Sequence, residues 1–201
     1  MENTKKIVTR FAPSPTGMLH IGGLRTTLFS WLWARKHGGE FIIRLEDTDR
    51  ARLVEGAAEQ ILSSIEALGM DWDYGPNKPG PFGSCTQSHR LMTYQERIEE
   101  LLGKGIAYRD YNTSEAIEAL RSSAIAEKRA FIYRKSMANL DGDITTPHVI
   151  RIEIPGDKQF IWEDAVKGLQ TWSSKDVDDF VAIKGDGFPT YHFANVCDDK
   201  A

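Results

Sequence analysis

Residues 7–23 read IVTRFAPSPTGMLHIGG, and this stretch decides the fold class. Its first five residues are β-prone and predict a strand. The two prolines and the glycine that follow are incompatible with regular structure and predict a rigid loop. Apolar residues then recur at helical spacing from Ile21 to Leu32 and predict a helix that ends at Gly38-Gly39. The stretch therefore predicts a strand, a loop and a helix in immediate succession.

The next segment repeats this alternation. Phe41 to Ile43 is a continuous apolar run, as expected of a strand that is covered on both faces. An apolar stripe from Val54 to Leu68, ended by Gly69, predicts a second helix. Strand, helix, strand, helix predicts a right-handed βαβ unit on a parallel sheet. The expected fold class is therefore α/β and Rossmann-like.

A segment rich in glycine and proline follows this unit. Six of the nine residues from Gly75 to Gly83 are Gly or Pro, which predicts a boundary between compact units. Two helical stripes come next, over residues 91–102 and 116–128. Residues 149–154 and 160–162 predict a hairpin that turns at 155–157, and residues 180–183 predict a further strand. This second region is therefore expected to mix helices and strands.

The composition excludes several classes of protein. The chain has 201 residues, 41% of them hydrophobic and 27% charged, which is an ordinary globular composition. No stretch approaches the ~20 apolar residues of a membrane span, and the start lacks a signal-peptide core. The cysteines are Cys85 and Cys197, too few for a disulfide framework or a cysteine-rich metal site. We expect a soluble, cytoplasmic protein without a membrane partner.

Charge is distributed unevenly along the chain. The net charge is -4, which argues against a generic nucleic-acid binder. From Asn3 to Gly39 there is no acidic residue, and six positive charges lie in that stretch: Lys5, Lys6, Arg10, Arg25, Arg35 and Lys36. This end of the molecule could attract a polyanion, and chance clustering on a solvated face is the alternative.

The loop after the first strand has the residues of a phosphate site. A loop that leaves a parallel strand and enters a helix offers free N–H groups and the positive end of the helix dipole. Thr16, Gly17, His20, Gly22 and Gly23 occupy this position. The glycines allow close approach of a phosphate, and the histidine can donate a hydrogen bond to it. Alternatively, the glycines relieve crowding and the histidine packs.

Longer strings identify a family. RFAPSPTG at 10–17 and LHIGG at 19–23 closely resemble the signature of the glutamyl-tRNA synthetases, which belong to class I of the aminoacyl-tRNA synthetases. GGEFIIRLEDTDRAR at 38–52 resembles the second block of that family, and Gln87-Ser88 lies where a Gln-Ser pair recurs. DGFPTYHFAN at 186–195 matches a late block. The resemblance covers nearly the whole chain.

The resemblance implies a ligase that uses ATP as a substrate. L-glutamate would attack the α-phosphate of ATP, with Mg²⁺ accompanying the nucleotide, and glutamate would then be esterified to tRNA(Glu). By the family pattern, His20 and Thr16 are catalytic, and these two with Ala12 and Gly22 bind ATP. Gly23 stands where other class I enzymes have a second histidine. A complete enzyme of this kind is expected to be a monomer.

The resemblance also implies a glutamate pocket. Arg10 would pair with a substrate carboxylate, Glu46 would receive the ammonium, and hydrogen bonds would come from Ser14, Tyr191 and Asn195. The last two are four residues apart, so on a helix they share a face. The alternative is that Arg10 and Glu46 pair with each other and that Tyr191 belongs to the core.

The chain departs from the family at two points. Asp110 and Asn112 occupy the likely cysteine positions of a zinc knuckle found in many relatives, and Met137 lies near a third, so no zinc site is expected. The lysine-rich loop of the family lies beyond Ala201. The resemblance therefore implies an N-terminal portion, as an expressed fragment, an incomplete gene product or half of a split enzyme, which activates glutamate poorly when alone.

The same pattern divides the chain into three segments. Residues 1–71 would be the first half of the catalytic domain, 72–183 an inserted acceptor-stem-binding domain, and 184–201 the return to the catalytic domain. Two other functions stay open. One is the related enzyme that attaches glutamate to queuosine in tRNA(Asp), although DTDRAR at 47–52 favours the synthetase. The other is a non-catalytic paralogue or fragment that binds tRNA or a partner protein.

Overall fold

The structure, a computed structural model, describes residues 6–200. Lys5, counted above among the positive charges, lies outside these residues. The chain forms two compact units. The first comprises the described residues up to Thr93 and those from Cys197 onward, and the second is Tyr94–Val196. The predicted boundaries after residues 71 and 183 follow the family pattern and stay predictions.

The first unit contains the predicted alternation of strands and helices. Its elements are β1 (Val8–Phe11), α1 (Ile21–Lys36), β2 (Glu40–Ile43) and α2 (Ala57–Ala67). β1 and β2 are parallel, in a register that runs from Val8 opposite Glu40 to Phe11 opposite Ile43. The predicted parallel βαβ arrangement is therefore confirmed.

The core of the first unit lies between this sheet and the helices. Its buried residues come from both strands, both helices and the segment after α2: Phe11, Ala34, Phe41, Ile43, Ile61, Ile65, Met70 and Trp72. Of the apolar stripe of α1, Leu24 and Trp31 pack against this core, whereas Ile21 and Leu28 are exposed. Burying apolar surface here stabilises the sheet whose carboxyl end carries the candidate site.

The second unit is built on an antiparallel sheet. The elements of this part of the chain are α3 (Leu91–Gly103), β3 (Ala107–Asp110), α4 (Ser114–Ala126), β4 (Val149–Ile152), β5 (Gln159–Asp164), β6 (Gly168–Ser173), β7 (Val181–Ile183) and α5 (Tyr191–Asp199). The strand order is β3-β4-β7, and β5 and β6 form a separate two-stranded sheet. The Thr113 side chain caps α4 by accepting from the Ala116 N–H. The expected mixture of helices and strands is found.

The predicted hairpin of residues 149–162 is wrong. β4 pairs with β3 and β7, whereas β5 pairs with β6. The turn between β5 and β6 explains the difference, because the Asp164 carboxylate accepts from the Val166 and Lys167 N–H groups. Gly168 follows with a φ of 70°, a conformation that glycine adopts without strain. The resulting hairpin exposes Trp162 and Trp172. No helix among residues 6–200 has the length and apolar character needed to cross a bilayer.

Candidate active site

The loop after β1 is fixed by backbone hydrogen bonds to the segment after β2. The Glu46 N–H donates to the Pro13 carbonyl at 2.9 Å, and the Val54 N–H donates to the Pro15 carbonyl at 3.0 Å. The Ser14 hydroxyl donates to the Glu46 carbonyl at 2.8 Å. These bonds bring the predicted site residues Ser14 and Glu46 together. Half-buried Thr16 closes a turn by donating its N–H to the Ser14 carbonyl.

His20 sets the start of α1. Its Nδ1 accepts from the N–H groups of Gly22, at 3.1 Å, and Gly23, at 3.4 Å. A nitrogen that accepts carries no proton, so the neutral ring has its proton on Nε2, where it can donate to a ligand. The ring is exposed, which argues against the alternative that it packs. The tautomer of the side chain predicted to contact phosphate is thus set by the helix N-terminus.

The glycines beside His20 make room for its ring. A Cβ at Gly22 would lie 2.9 Å from the His20 Cε1 atom, closer than real side-chain contacts allow. A Cβ at Gly23 would lie 3.0 Å from the Leu19 side chain. Gly22 therefore leaves room for the histidine ring and Gly23 leaves room for Leu19, so both glycines relieve crowding, as the alternative predicted. Ala12, predicted to lie beside the nucleotide, is half-buried in the same loop.

Glu46 is buried at the end of β2 and pairs with Arg44. The Arg44 Nη2 donates to the Glu46 Oε1 at 3.1 Å. Burial raises the pKa of Glu46, although the charges of Arg44 and Arg10 oppose the rise. The buried Glu46 carboxylate thus already has one cationic partner in Arg44. Its role as the receptor of an ammonium group stays a prediction.

Arg10 pairs with Asp199 rather than with Glu46. Its Nε and Nη2 donate to the Asp199 Oδ1 and Oδ2, each at 2.8 Å. The alternative had Arg10 pairing with Glu46, but Glu46 pairs with Arg44. Burial raises the pKa of Asp199, but hydrogen bonds from Arg10 and Arg44 outweigh it and hold this pKa below its ordinary value.

A second buried carboxylate lies behind this pair. Asp198 accepts from the Gln87 Nε2 at 2.8 Å, and it lies 2.8 Å from the Arg90 Nε and 3.6 Å from the Arg44 Nε. Together these charged side chains border a cavity of about 500 Å³ beside β1. The cavity is lined by Val8, Thr9, Arg10, Ile42, Arg44, Phe82, Ser84, Cys85, Arg90, Asp198 and Asp199.

Several of these residues escaped the sequence analysis. Arg44 lies in the second block, where the family pattern gives it no role, and the sequence patterns do not single out Arg90, Asp198 or Asp199. Their ion pairs join residues more than one hundred positions apart, which no local spacing indicates. The one available signal was the adjacent acidic pair Asp198-Asp199 at the end of a helix.

Tyr191 and Asn195 lie one helical turn apart on α5 and belong to the second unit. Asn195 is buried, whereas Tyr191 is exposed, so the alternative that Tyr191 belongs to the core is not supported. The Tyr191 ring contacts the His192 ring edge-on, with centroids 5.3 Å apart. Arg10, Ser14 and Glu46 belong to the first unit.

The positions of the zinc knuckle carry a hydrogen-bonded network. The Asp110 Oδ2 accepts from the Tyr133 hydroxyl and from the Arg151 Nε, each at 2.7 Å. The Asn112 amide donates to the Tyr133 hydroxyl and to the Met137 carbonyl. Burial, reinforced by the Asp110 hydrogen bond, raises the pKa of Tyr133 to about 12. Within residues 6–200, no group of three His, Cys, Asp or Glu side chains could hold a metal ion.

Comparison with known proteins identifies the family. The family model described as "tRNA synthetases class I (E and Q), catalytic domain" matches residues 6–201. The chain belongs to this family. Its fold class is accordingly the class I synthetase catalytic domain, an α/β fold with a parallel sheet.

Individual relatives agree with this family. The chain is 46% identical over 198 residues to the glutamate–tRNA ligase of Dehalococcoides mccartyi (strain CBDB1), covering 98% of this chain and 41% of that protein. It is 47% identical over 192 residues to the glutamate–tRNA ligase of Anaeromyxobacter sp. (strain Fw109-5), covering 94% of this chain and 40% of that protein. The synthetase relatives are thus more than twice as long as this chain.

A solved structure shares the fold. The crystal structure of a glutamate tRNA ligase from Elizabethkingia meningosepticum in complex with its amino acid superimposes with a TM-score of 0.89 at 37% sequence identity. The match covers 98% of this chain and 42% of that one. The chain therefore spans about two fifths of the synthetases that it matches.

Proposed function

We propose that this chain is the portion of a glutamate–tRNA ligase that binds and activates glutamate. One observation carries the proposal: the guanidinium of Arg10 holds the carboxylate of Asp199 in a two-pronged hydrogen bond, and its charge also acts on the buried carboxylate of Glu46. Glutamate carries two carboxylates and an ammonium: the positive Arg10 complements a carboxylate, and the negative Glu46 complements the ammonium. The identity to glutamate–tRNA ligases supports the same substrate.

In the first step, a carboxylate oxygen of glutamate attacks the α-phosphorus of ATP. The bond from that phosphorus to the bridging oxygen breaks, and pyrophosphate leaves with the electron pair. Negative charge grows on the phosphate oxygens, where the His20 Nε2–H and the positive end of the α1 dipole can stabilise it. The protein contributes mainly positioning and charge, with Mg²⁺ entering on the nucleotide phosphates.

In the second step, the terminal ribose hydroxyl of tRNA(Glu) attacks the glutamyl carbonyl, and AMP leaves. In this proposal Thr16, Ala12 and Gly22 contact ATP, while Ser14, Tyr191 and Asn195 hydrogen-bond glutamate. Residues 72–183 would bind the acceptor stem. A cytoplasmic location and a monomeric complete enzyme are part of the same proposal.

The test is glutamate- and tRNA-dependent ATP–pyrophosphate exchange. It is measured for residues 1–201 and for a longer polypeptide in which these residues are followed by the lysine-rich loop. We expect exchange by the latter with L-glutamate, and little by residues 1–201 alone, because the lysine-rich loop would act on the triphosphate in the transition state. Equal rates would show that residues 1–201 suffice. No exchange, or transfer of glutamate to tRNA(Asp), would overturn the proposal.

His20 provides the variant for this assay. His20→Ala should lower the exchange rate by a factor of ~10² to 10³, the scale for one lost preorganised donor. His37→Ala is the matched control, because His37 is an exposed histidine that follows the last residue of the same helix. An unchanged rate in His20→Ala would remove His20 from the mechanism.

A further inference from the structure

The carboxylate of Asp199 is held by two arginines. Arg10 donates through Nε to Oδ1 and through Nη2 to Oδ2, each at 2.8 Å. Arg44 donates through Nη1 to Oδ1 at 2.7 Å. Three charge-assisted hydrogen bonds thus converge on one carboxylate, in the planar two-pronged geometry by which arginine recognises carboxylates. A carboxylate of any origin would be held in the same way.

Arg44 is fixed in place independently of Asp199. Its side chain is 8% exposed, and it contacts Glu46 at 3.1 Å and Asp198 at 3.6 Å. Asp198 is itself 3% exposed and is held by Arg90 and Gln87, each at 2.8 Å. The Arg44 guanidinium is therefore preorganised by buried carboxylates and keeps Nη1 directed at the position of the Asp199 carboxylate.

Asp199 is the exchangeable member of the cluster. Its side chain is 44% exposed, against 3% for Asp198 next to it. It can leave the arginines for water at a lower cost than Asp198, whose departure would move a fully buried charge and leave buried cations unpaired. The adjacent cavity of about 500 Å³ is of the size that small-molecule sites have.

We propose that Arg44 extends the carboxylate subsite assigned to Arg10 and that Asp199 occupies this subsite as an internal competitor. A substrate carboxylate must then displace Asp199 to bind. The inference rests on the proposed function, which supplies glutamate as the substrate. It gives Arg44 a direct binding role and makes Asp199 a determinant of the affinity for glutamate.

The test is calorimetric titration of the 201-residue chain with L-glutamate. Asp199→Asn keeps the shape of the side chain and removes its charge. We expect this variant to bind glutamate about tenfold or more tightly, since one charge-assisted competitor is lost. Asp157→Asn, which makes the same charge change at an exposed aspartate of the second unit, should leave the affinity unchanged.

Two further measurements identify the residues involved. In the Asp199→Asn background, Arg44→Lys keeps the positive charge but removes the fixed guanidinium whose Nη1 points at this carboxylate, and it should abolish most of the gain. Asp199→Asn should raise the affinity for L-glutamine, which lacks the side-chain charge, by a smaller factor than the affinity for L-glutamate. Melting curves show whether each variant is folded, and the ¹⁵N resonance of the Arg10 Nε–H group in the parent chain should shift on glutamate addition.

The outcomes separate this inference from the proposed function. Equal glutamate affinity in the parent chain and Asp199→Asn would overturn the inference and leave the proposed function standing. A gain that survives Arg44→Lys would overturn the role of Arg44. Absence of glutamate binding in all folded variants would overturn the proposed function and the inference with it.

Discussion

Gly39 lies directly before β2, at a point where the backbone directly before β1 passes very close. The Glu40 N–H donates to the Ile7 carbonyl at 2.9 Å, which starts the pairing of the two parallel strands. A Cβ on Gly39 would overlap that same carbonyl oxygen. The constraint is one of space rather than of backbone conformation, and backbone atoms cannot move aside as a flexible side chain can.

Gly39→Ala should therefore destabilise the first unit by about 1–3 kcal/mol, the usual cost of forcing extra atoms into a packed site. The measurement is the midpoint of urea unfolding. Gly103→Ala is the control, because nothing lies within 4 Å of a Cβ at this helical residue, so the change should be neutral or slightly stabilising. Equal midpoints for the two variants would contradict the account of Gly39.

Single residues of the site were predictable to different degrees. The sequence placed His20 at a helix start because strand, prolines, glycines and apolar spacing all agree locally. The partners of Arg10 and Glu46 were not predictable, since Asp199 and Arg44 reach them through the fold rather than through spacing. The local sequence determines the position of His20 at the helix start, whereas the ion pairs of Arg10 and Glu46 depend on the tertiary structure.

Among the elements, β3 and β4 are joined by more than their backbone ladder. Asp110 on β3 accepts from Arg151 on β4, and both side chains are buried. Arg151 also donates to the Asp179 carbonyl at 2.9 Å and stacks on the Tyr133 ring, with its Cζ 3.9 Å from the ring centroid. A cation that satisfies so many buried groups cannot be removed without leaving some of them unpaired.

We expect Arg151→Met to cost about 3–5 kcal/mol, because it leaves the Asp110 charge buried with fewer partners. Arg121→Met removes an exposed arginine that pairs with Glu118 three residues away on α4, and it should cost about 0.5 kcal/mol or less. Urea unfolding monitored by circular dichroism measures both.

The double variant Arg151→Met with Asp110→Asn sharpens this test. It should recover part of the loss, since removing both charges is less costly than removing one. A loss in Arg151→Met no larger than that in Arg121→Met would contradict the role given to the buried pair.

The elements were predicted best where neighbours in sequence are neighbours in space. β1, α1, β2 and α2 follow from local apolar patterns, and they were found. The sequence patterns do not predict β3 and β6, and they predict the wrong pairing partner for β5. An alternating pattern indicates a strand but not which strand it pairs with, and the β5–β6 turn depends on the Asp164 carboxylate.

Over the whole molecule, charge segregation is the property that bears on RNA. The net charge is -4, yet residues 3–39 contain no acidic residue, although Lys6, Arg10 and Arg35 pair with carboxylates from elsewhere in the chain. A polyanion can bind such a molecule through a local basic surface while the rest of the chain repels it. The binding would then consist mainly of phosphate contacts, which release counterions from the RNA.

Binding of tRNA(Glu) should accordingly weaken steeply with salt, with a slope of about 0.9 in log–log terms for each phosphate contact. Fluorescence anisotropy at several salt concentrations measures the slope. An acceptor-stem minihelix should compete with the tRNA, and an anticodon stem-loop, the control, should not. Salt-insensitive binding, or competition by the stem-loop alone, would contradict acceptor-stem recognition.

The five tryptophans of the chain differ in their surroundings. Trp72 is buried in the core of the first unit and Trp31 packs against that core, whereas Trp33 on α1 and Trp162 and Trp172 on the β5–β6 hairpin are exposed. Indole emission shifts to longer wavelength in water, so the chain combines apolar with hydrated fluorophores. A dissolved quencher would extinguish the three exposed tryptophans first and leave a spectrum that reports on the core of the first unit.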